Sequence, residues 1–283
     1  MTRVLHSKPV TDAIAADLAH RVERLHILSI DPTLAIVRVG SRPDDLSYER
    51  TACKRAKALG LSTRVFELPE TVSQEKLLLQ IRRINADSNI HGCLVFRPLP
   101  EGMEDKLVCD ELAMSKDVDG VSTASLGAVF TDAKEGFAPC TAEACVKALD
   151  FYEIPIEGKH VVVVGRSLVV GKPVAMLLLR RNASVTICHS RTADLAKVMR
   201  TADIVICATG RARAFGPECF REGQTVLDVG INFDKDGKLC GDVDFDAVAP
   251  IVDAITPVPG GLGSVTTSVT MEHTVSAAEK TIR

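Results

Sequence analysis

The chain has 283 residues, 46% of them apolar and 25% charged, with 19 Gly and 13 Pro. That length accommodates two domains of ordinary size, and the composition excludes collagen-like, coiled-coil and disordered chains. Lys plus Arg number 34 and Asp plus Glu 37, for a net charge of −3, which leaves no basic footprint for nucleic acid or an anionic membrane.

Apolar residues at helical spacing predict a helix over 10–25, followed by a strand at 33–39 (TLAIVRV). A helix over 45–59 is closed by Gly60, then come a strand at 62–68, a helix over 73–86 and a strand at 92–97 stopped by Pro98 and Pro100. Small and polar residues mark a change of texture at 126–138. A helix over 141–152, with Thr141 as its N-cap, opens a second series. That series has a strand at 160–164, a helix over 173–181, strands at 184–188, 204–208 and 225–229, and a final helix over 266–282. Strands alternating with helices argue for parallel βαβ units, and the two series for two lobes divided near 120–140 and again near 265. The fold class is α/β.

No apolar run approaches the ~20 residues of a membrane span. The opening segment is mildly amphipathic and contains Asp, so it reads as a mature helix and not as a signal peptide. Nine scattered cysteines without CxxC spacing read as small buried hydrophobes in a reducing, cytoplasmic setting, and no metal site is expected.

The strand VVVV (161–164) runs into Gly165-Arg166-Ser167 and then a helix. A buried strand, a tight Gly turn and a helix N-terminus form the context in which a dinucleotide pyrophosphate binds. The spacing is not GxGxxG, so an ordinary strand-to-helix turn fits these residues too. The next strand ends in His189-Ser190-Arg191, with no acid before Asp194. A hydroxyl and a guanidinium suit a 2′-phosphate, and Arg166 adds a second cation, which favours NADP over NAD. Read alone, Arg191 is equally a solvated surface charge.

Several stretches in order resemble the methylenetetrahydrofolate dehydrogenase/methenyltetrahydrofolate cyclohydrolase family, of the bacterial FolD type. They are Val39-Gly40-Ser41 with Tyr48, GCLVFRPLP (92–100), KDVDG (116–120), PCT (139–141), VVVVGRSLVVGKP (161–173), CHSRT (188–192), DVGIN (228–232), GDV (241–243) and TPVPGGLGSVT (256–266). The resemblance implies a folate-binding domain at 1–138, completed by a helix at 266–283, and a Rossmann NADP-binding domain at 139–265. It also implies a site in the cleft between them, a homodimer, and no nucleic-acid or membrane partner. The implied reaction passes a hydride from 5,10-methylenetetrahydrofolate to NADP, and in bifunctional members water then opens the methenyl product to 10-formyltetrahydrofolate. Carried over by matching position, Tyr48 stacks on the folate and Asp119 bonds the pterin ring. Phe96, Arg97, Pro259, Gly260, Gly261, Leu262 and Gly263 line the substrate. Gly165, Arg166, Ser167, Ser190, Arg191 and Ile231 hold the cofactor.

The chain departs from the family pattern at the Lys four residues after the Tyr, which is Ala52, and at the strand Gln, which is Phe96. At about 100° per residue the +4 position lies about 40° from Tyr48, so Lys54, about 240° round, does not replace it. Arg55 returns to the Tyr48 face one turn on. Arg97 replaces a Leu, and strand alternation points it away from Phe96. Asp45, Ala142, Ala144 and Ser264 replace the family's Ser, Pro, Gly and Pro. The resemblance gives the Lys and Gln the work of positioning water and moving protons, and neither Ala52 nor Phe96 does that. The expectation is therefore a divergent member, a dehydrogenase whose cyclohydrolase activity is absent or strongly reduced. Two alternatives stand beside it: a fully bifunctional enzyme, with Arg55, Asp45 or a bound water as the substitute base, and a family fold without folate chemistry.

Overall fold

The structure is a computed structural model and describes residues 2–282. In chain order the elements are β1 (Arg3–Val4), α1 (Ser7–Ile27), β2 (Thr33–Val39), α2 (Pro43–Ala58), β3 (Ser62–Leu68), α3 (Gln74–Ala86), β4 (Gly92–Val95), α4 (Asp105–Glu111), α5 (Thr123–Thr131) and α6 (Cys140–Phe151). There follow β5 (His160–Val164), α7 (Gly171–Arg180), β6 (Ser184–Cys188), α8 (Leu195–Met199), β7 (Ile204–Cys207), a 3₁₀ turn (Pro217–Cys219) and β8 (Thr225–Asp228). The chain ends with β9 (Asn232–Phe233), β10 (Leu239–Cys240), α9 (Phe245–Val248), β11 (Ala254–Ile255) and α10 (Gly263–Glu279). Two compact units result, one of residues 1–12 with 141–266, the other of 13–140 with 267–283. Among the described residues no helix is long and apolar enough to cross a membrane.

The unit of 13–140 and 267–283 holds a parallel sheet of order β3-β2-β4. Every residue of β2 is buried, as a central parallel strand requires. The one charged member, Arg38, is bonded through Nε to Glu49 on α2 at 2.8 Å and through Nη2 to Glu67 on β3. It thereby ties α2 to the sheet one residue beyond Tyr48. Leu18, Val22 and Leu25 of α1, Ala52 and Ala56 of α2, and Met271 and Val275 of α10 share one core cluster on the sheet. Ser73 caps α3 by accepting from Lys76 N.

The other unit holds a six-stranded parallel sheet of order β1-β11-β8-β7-β5-β6. The chain passes from β5 to β6 on one side and then returns to place β7 on the other side of β5. That reversal is the doubly wound, Rossmann-like signature, and ligands bind outside the carboxyl ends of the strands there. The two-residue strands β1 and β11 have no period of their own, so the sequence does not announce them. α6 begins at Cys140, so Thr141 is its second residue and not its N-cap. Helix α5 runs into the 126–138 stretch of changed texture, and α4 lies before it in a segment to which the sequence reading assigns no element.

Candidate active site

In the unit of 13–140 and 267–283, α2 carries Tyr48 towards the end of β4. Its ring lies 5.4 Å from the Phe96 ring at 49°, a tilted aromatic pair. Ala52, one turn on, is fully buried and shares a core cluster with Phe96. The small residue and the large one therefore complement each other in volume. Burial of a Phe side chain contributes about 1.5–3 kcal/mol, so position 96 holds α2 against the sheet as well as walling the site.

β4 ends at Val95, so strand alternation does not govern Arg97, which the sequence reading turns away from Phe96. Its Nη2 comes within 3.8 Å of Asp119 Oδ2. The Asp119 loop is fixed from within. Asp117 is fully buried and accepts from Val121 N at 3.1 Å and Ser122 N at 2.9 Å, while Lys116 O accepts from Cys93 N at 2.8 Å. Val118 enters the core, and the Asp119 side chain stays 26% exposed. Burial pushes the Asp119 carboxyl up to about 6; the Arg97 guanidinium draws it down and Asp117 raises it. The Tyr48 hydroxyl is also pushed up, by burial first and then by the charge of Asp119, so it stays protonated.

A cluster that sequence reasoning missed lies behind Asp119. The Cys140 thiol donates to Val118 O at 3.0 Å and accepts from Thr270 Oγ1 at 3.3 Å. His273 Nδ1 is 2.8 Å from Val118 O and 3.6 Å from Cys140 Sγ, and its ring stacks on Phe137. The only signal was the quoted PCT stretch; nothing local marked His273. The two substitute bases weighed from the sequence are engaged elsewhere. Asp45 takes both Arg42 Nε and Nη2 at 2.9 Å, and Arg55 Nη2 donates to Ser268 Oγ at 2.9 Å.

In the Rossmann-like unit, Gly165 follows β5 with φ +141°, and a Cβ there would lie 2.3 Å from Ala208 O at the end of β7. Only Gly fits so close a backbone crossing. Ser167 Oγ accepts from Val170 N at 3.1 Å and Ser167 O from Lys172 N at 3.0 Å, turning the chain into α7. Arg166, Ser167, Ser190 and Arg191 are exposed. The turn after β6 is closed by His189, whose Nδ1 accepts from Arg191 N at 3.2 Å. Two guanidiniums, two hydroxyls and a helix N-terminus, with no carboxylate in 165–167 or 189–191, fit a phosphorylated dinucleotide. Ile231, 66% exposed, and the Pro259–Gly263 stretch also belong to this unit. The sequence-derived site residues thus fall into two groups, with Tyr48, Phe96, Arg97 and Asp119 together in the first unit.

Residues 5–119 match the family model "Tetrahydrofolate dehydrogenase/cyclohydrolase, catalytic domain", and residues 139–282 match "Tetrahydrofolate dehydrogenase/cyclohydrolase, NAD(P)-binding domain". The chain belongs to this family. It is 52% identical to the bifunctional protein FolD of Carboxydothermus hydrogenoformans, over 99% of this chain and 98% of that one. Its fold is similar to the bifunctional FolD of Campylobacter jejuni, with TM-score 0.97 and 36% identity over 99% of both chains. It is also similar to the Trypanosoma brucei methylenetetrahydrofolate dehydrogenase-cyclohydrolase complexed with NADP and an inhibitor. There the TM-score is 0.93 and the identity 33%, over 100% of this chain and 99% of the other.

Two expectations are corrected by these relatives: that the chain is a member of the family divergent at the catalytic Lys and Gln positions, and that its cyclohydrolase activity is absent or strongly reduced. Relatives matched along nearly the whole chain are named as bifunctional proteins. Besides positions 52 and 96 the site holds a titratable group, the Asp119 carboxyl, raised to about 6 by burial and accompanied by Arg97.

Proposed function

We propose that this chain carries out both steps of its family, oxidising 5,10-methylenetetrahydrofolate and then hydrolysing 5,10-methenyltetrahydrofolate to 10-formyltetrahydrofolate. The chain is an NADP-dependent methylenetetrahydrofolate dehydrogenase, on its family match and its similarity to FolD proteins along their full length. When bound, NADP supplies the hydride acceptor. The chain's own residues bind and orient. In this reading Gly165 and Ser167 hold the pyrophosphate, and Ser190, Arg191 and Arg166 the 2′-phosphate. Ile231 borders the nicotinamide half, and Pro259, Gly260, Gly261, Leu262 and Gly263 bring backbone to the substrate. Tyr48 and Phe96 supply an aromatic wall, and Asp119 holds the pterin.

The observation that carries the second step is Asp119, a partly exposed carboxyl raised to about 6 beside a guanidinium. A base poised near neutral pH is what proton transfer from water needs. Water adds to the methenyl carbon, forming the C–O bond, and its proton passes to the Asp119 carboxylate. The bond from that carbon to N5 then breaks as the proton returns from Asp119 to N5 and the new hydroxyl releases its own proton to solvent, leaving the formyl C=O on N10. Nine cysteines, none of them in a disulfide among the described residues, support a cytoplasmic setting. A homodimer belongs to the same reading and is checked by light scattering. The test of function mixes the protein with 5,10-methylenetetrahydrofolate and NADP and follows NADPH and methenyl absorbance together. NADPH forming without lasting methenyl is expected; methenyl accumulating in step with NADPH would refute the second step.

A further inference from the structure

Two buried carboxylates stand where β7 and β8 end. Asp242, fully buried, gathers donors from two loops. Its Oδ2 accepts from Thr209 N, from Thr209 Oγ1 at 2.9 Å and from Gly210 N at 3.2 Å. Its Oδ1 accepts from Arg211 N at 2.9 Å and Asn232 Nδ2 at 3.0 Å. Asp228, at the end of β8, seats Asp242 in turn. Asp228 Oδ1 accepts from Asp242 N and from Gly230 N, both at 2.9 Å, and Oδ2 from Val243 N at 2.9 Å. The packing is too tight for any side chain at 230, where a Cβ would lie 2.3 Å from Asp242 Oδ1.

Ile231 is thus clasped on both sides, by Gly230 on Asp228 and by Asn232 on Asp242, while its own side chain is exposed. The 209–211 loop that Asp242 binds continues from Ala208, whose carbonyl faces Gly165. In this topology a dinucleotide lies across the carboxyl ends of β5 and its neighbours. Ser190 and Arg191, after β6, mark the adenosine side, so the nicotinamide half extends the other way, over the ends of β7 and β8.

We propose that Asp242, seated on Asp228, is a positioning residue for the nicotinamide half of the cofactor, holding the Thr209–Arg211 and Gly230–Asn232 loops in one arrangement. The sequence supplies the two stretches, DVGIN and GDV, without a role for either acid. The proposal rests on the reading of this unit as NADP-binding.

Asp242→Asn keeps the shape but presents an amide N–H₂ to backbone donors. The test measures binding by calorimetry, with NADP and with adenosine 2′,5′-bisphosphate, which lacks the nicotinamide half. NADP should bind about tenfold more weakly or worse, the size expected when charge-assisted hydrogen bonds are lost. The bisphosphate should bind as to the unsubstituted protein, and the KM for NADP should rise while the KM for folate holds. Unchanged NADP affinity, or equal weakening of both ligands, would overturn the proposal. If Asp242→Asn does not fold, Asn232→Ala removes one donor and should give the same selective pattern; equal effects on both ligands, or none, would overturn it. Failure of the unsubstituted protein to bind NADP would instead refute the cofactor reading itself.

Discussion

The Arg97 guanidinium stands 3.8 Å from the Asp119 carboxylate, although Arg97 lies two residues beyond the end of β4. The pair puts a cation beside a partly exposed acid in the unit where position 52 is an Ala. In the proposed second step, proton transfer to and from water runs through Asp119.

Asp119→Asn removes the proton acceptor of the proposed second step. Hydrolysis of the methenyl compound should fall by about 10²-fold or more, the range for loss of a general base. In the unsubstituted protein the rate should climb with pH through about 6 and level off above, because the protonated carboxyl accepts nothing from water. A flat pH profile between 5 and 7 would count against this role.

Arg97→Leu takes away the charge that draws the Asp119 carboxyl down. Loss of a neighbouring cation favours the protonated acid, so the midpoint of the same pH profile should move to higher pH. Arg97→Lys should return most of the shift. An unmoved midpoint in the Leu variant would separate the two residues.

Ala52→Lys tests the volume exchange with Phe96. Position 52 is fully buried in a core cluster that includes Phe96, so an ammonium there costs several kcal/mol. Thermal unfolding should shift sharply downward. Adding Phe96→Gln should recover part of the loss, with a coupling of about 0.5–3 kcal/mol between neighbours. Strict additivity in the double variant would show that the two positions do not share their space.

Arg191→Ala should weaken NADP binding by about 10- to 100-fold, as expected for a charge-assisted phosphate contact, and leave NAD binding nearly unchanged. Parallel changes for both cofactors would place the 2′-phosphate elsewhere.

The parts of the fold that the sequence displays are those with long, uniform burial. β2 and β5 are near-continuous apolar runs, broken in β2 by the paired Arg38, because parallel central strands are covered on both faces. β1 and β11 are two residues each and exist only by pairing with each other and with β8. The site divides in the same way. Gly165 is legible because a strand-to-helix turn with a close crossing needs it, and Asp119 because it stands in a recognisable stretch. Arg97 is less legible because alternation ends with β4 at Val95 and its partner Asp119 lies in a separate loop. Asp242 and His273 are silent because their meaning comes from partners far along the chain, Thr209 and Cys140.

The most direct measurement is the decay of 5,10-methenyltetrahydrofolate absorbance at pH 7 without NADP, with the unsubstituted protein and with Asp119→Asn. Decay that scales with protein concentration, and that Asp119→Asn reduces to nearly the uncatalysed rate, is the expected result. Decay at the uncatalysed rate at every concentration of unsubstituted protein would contradict a second step on this chain.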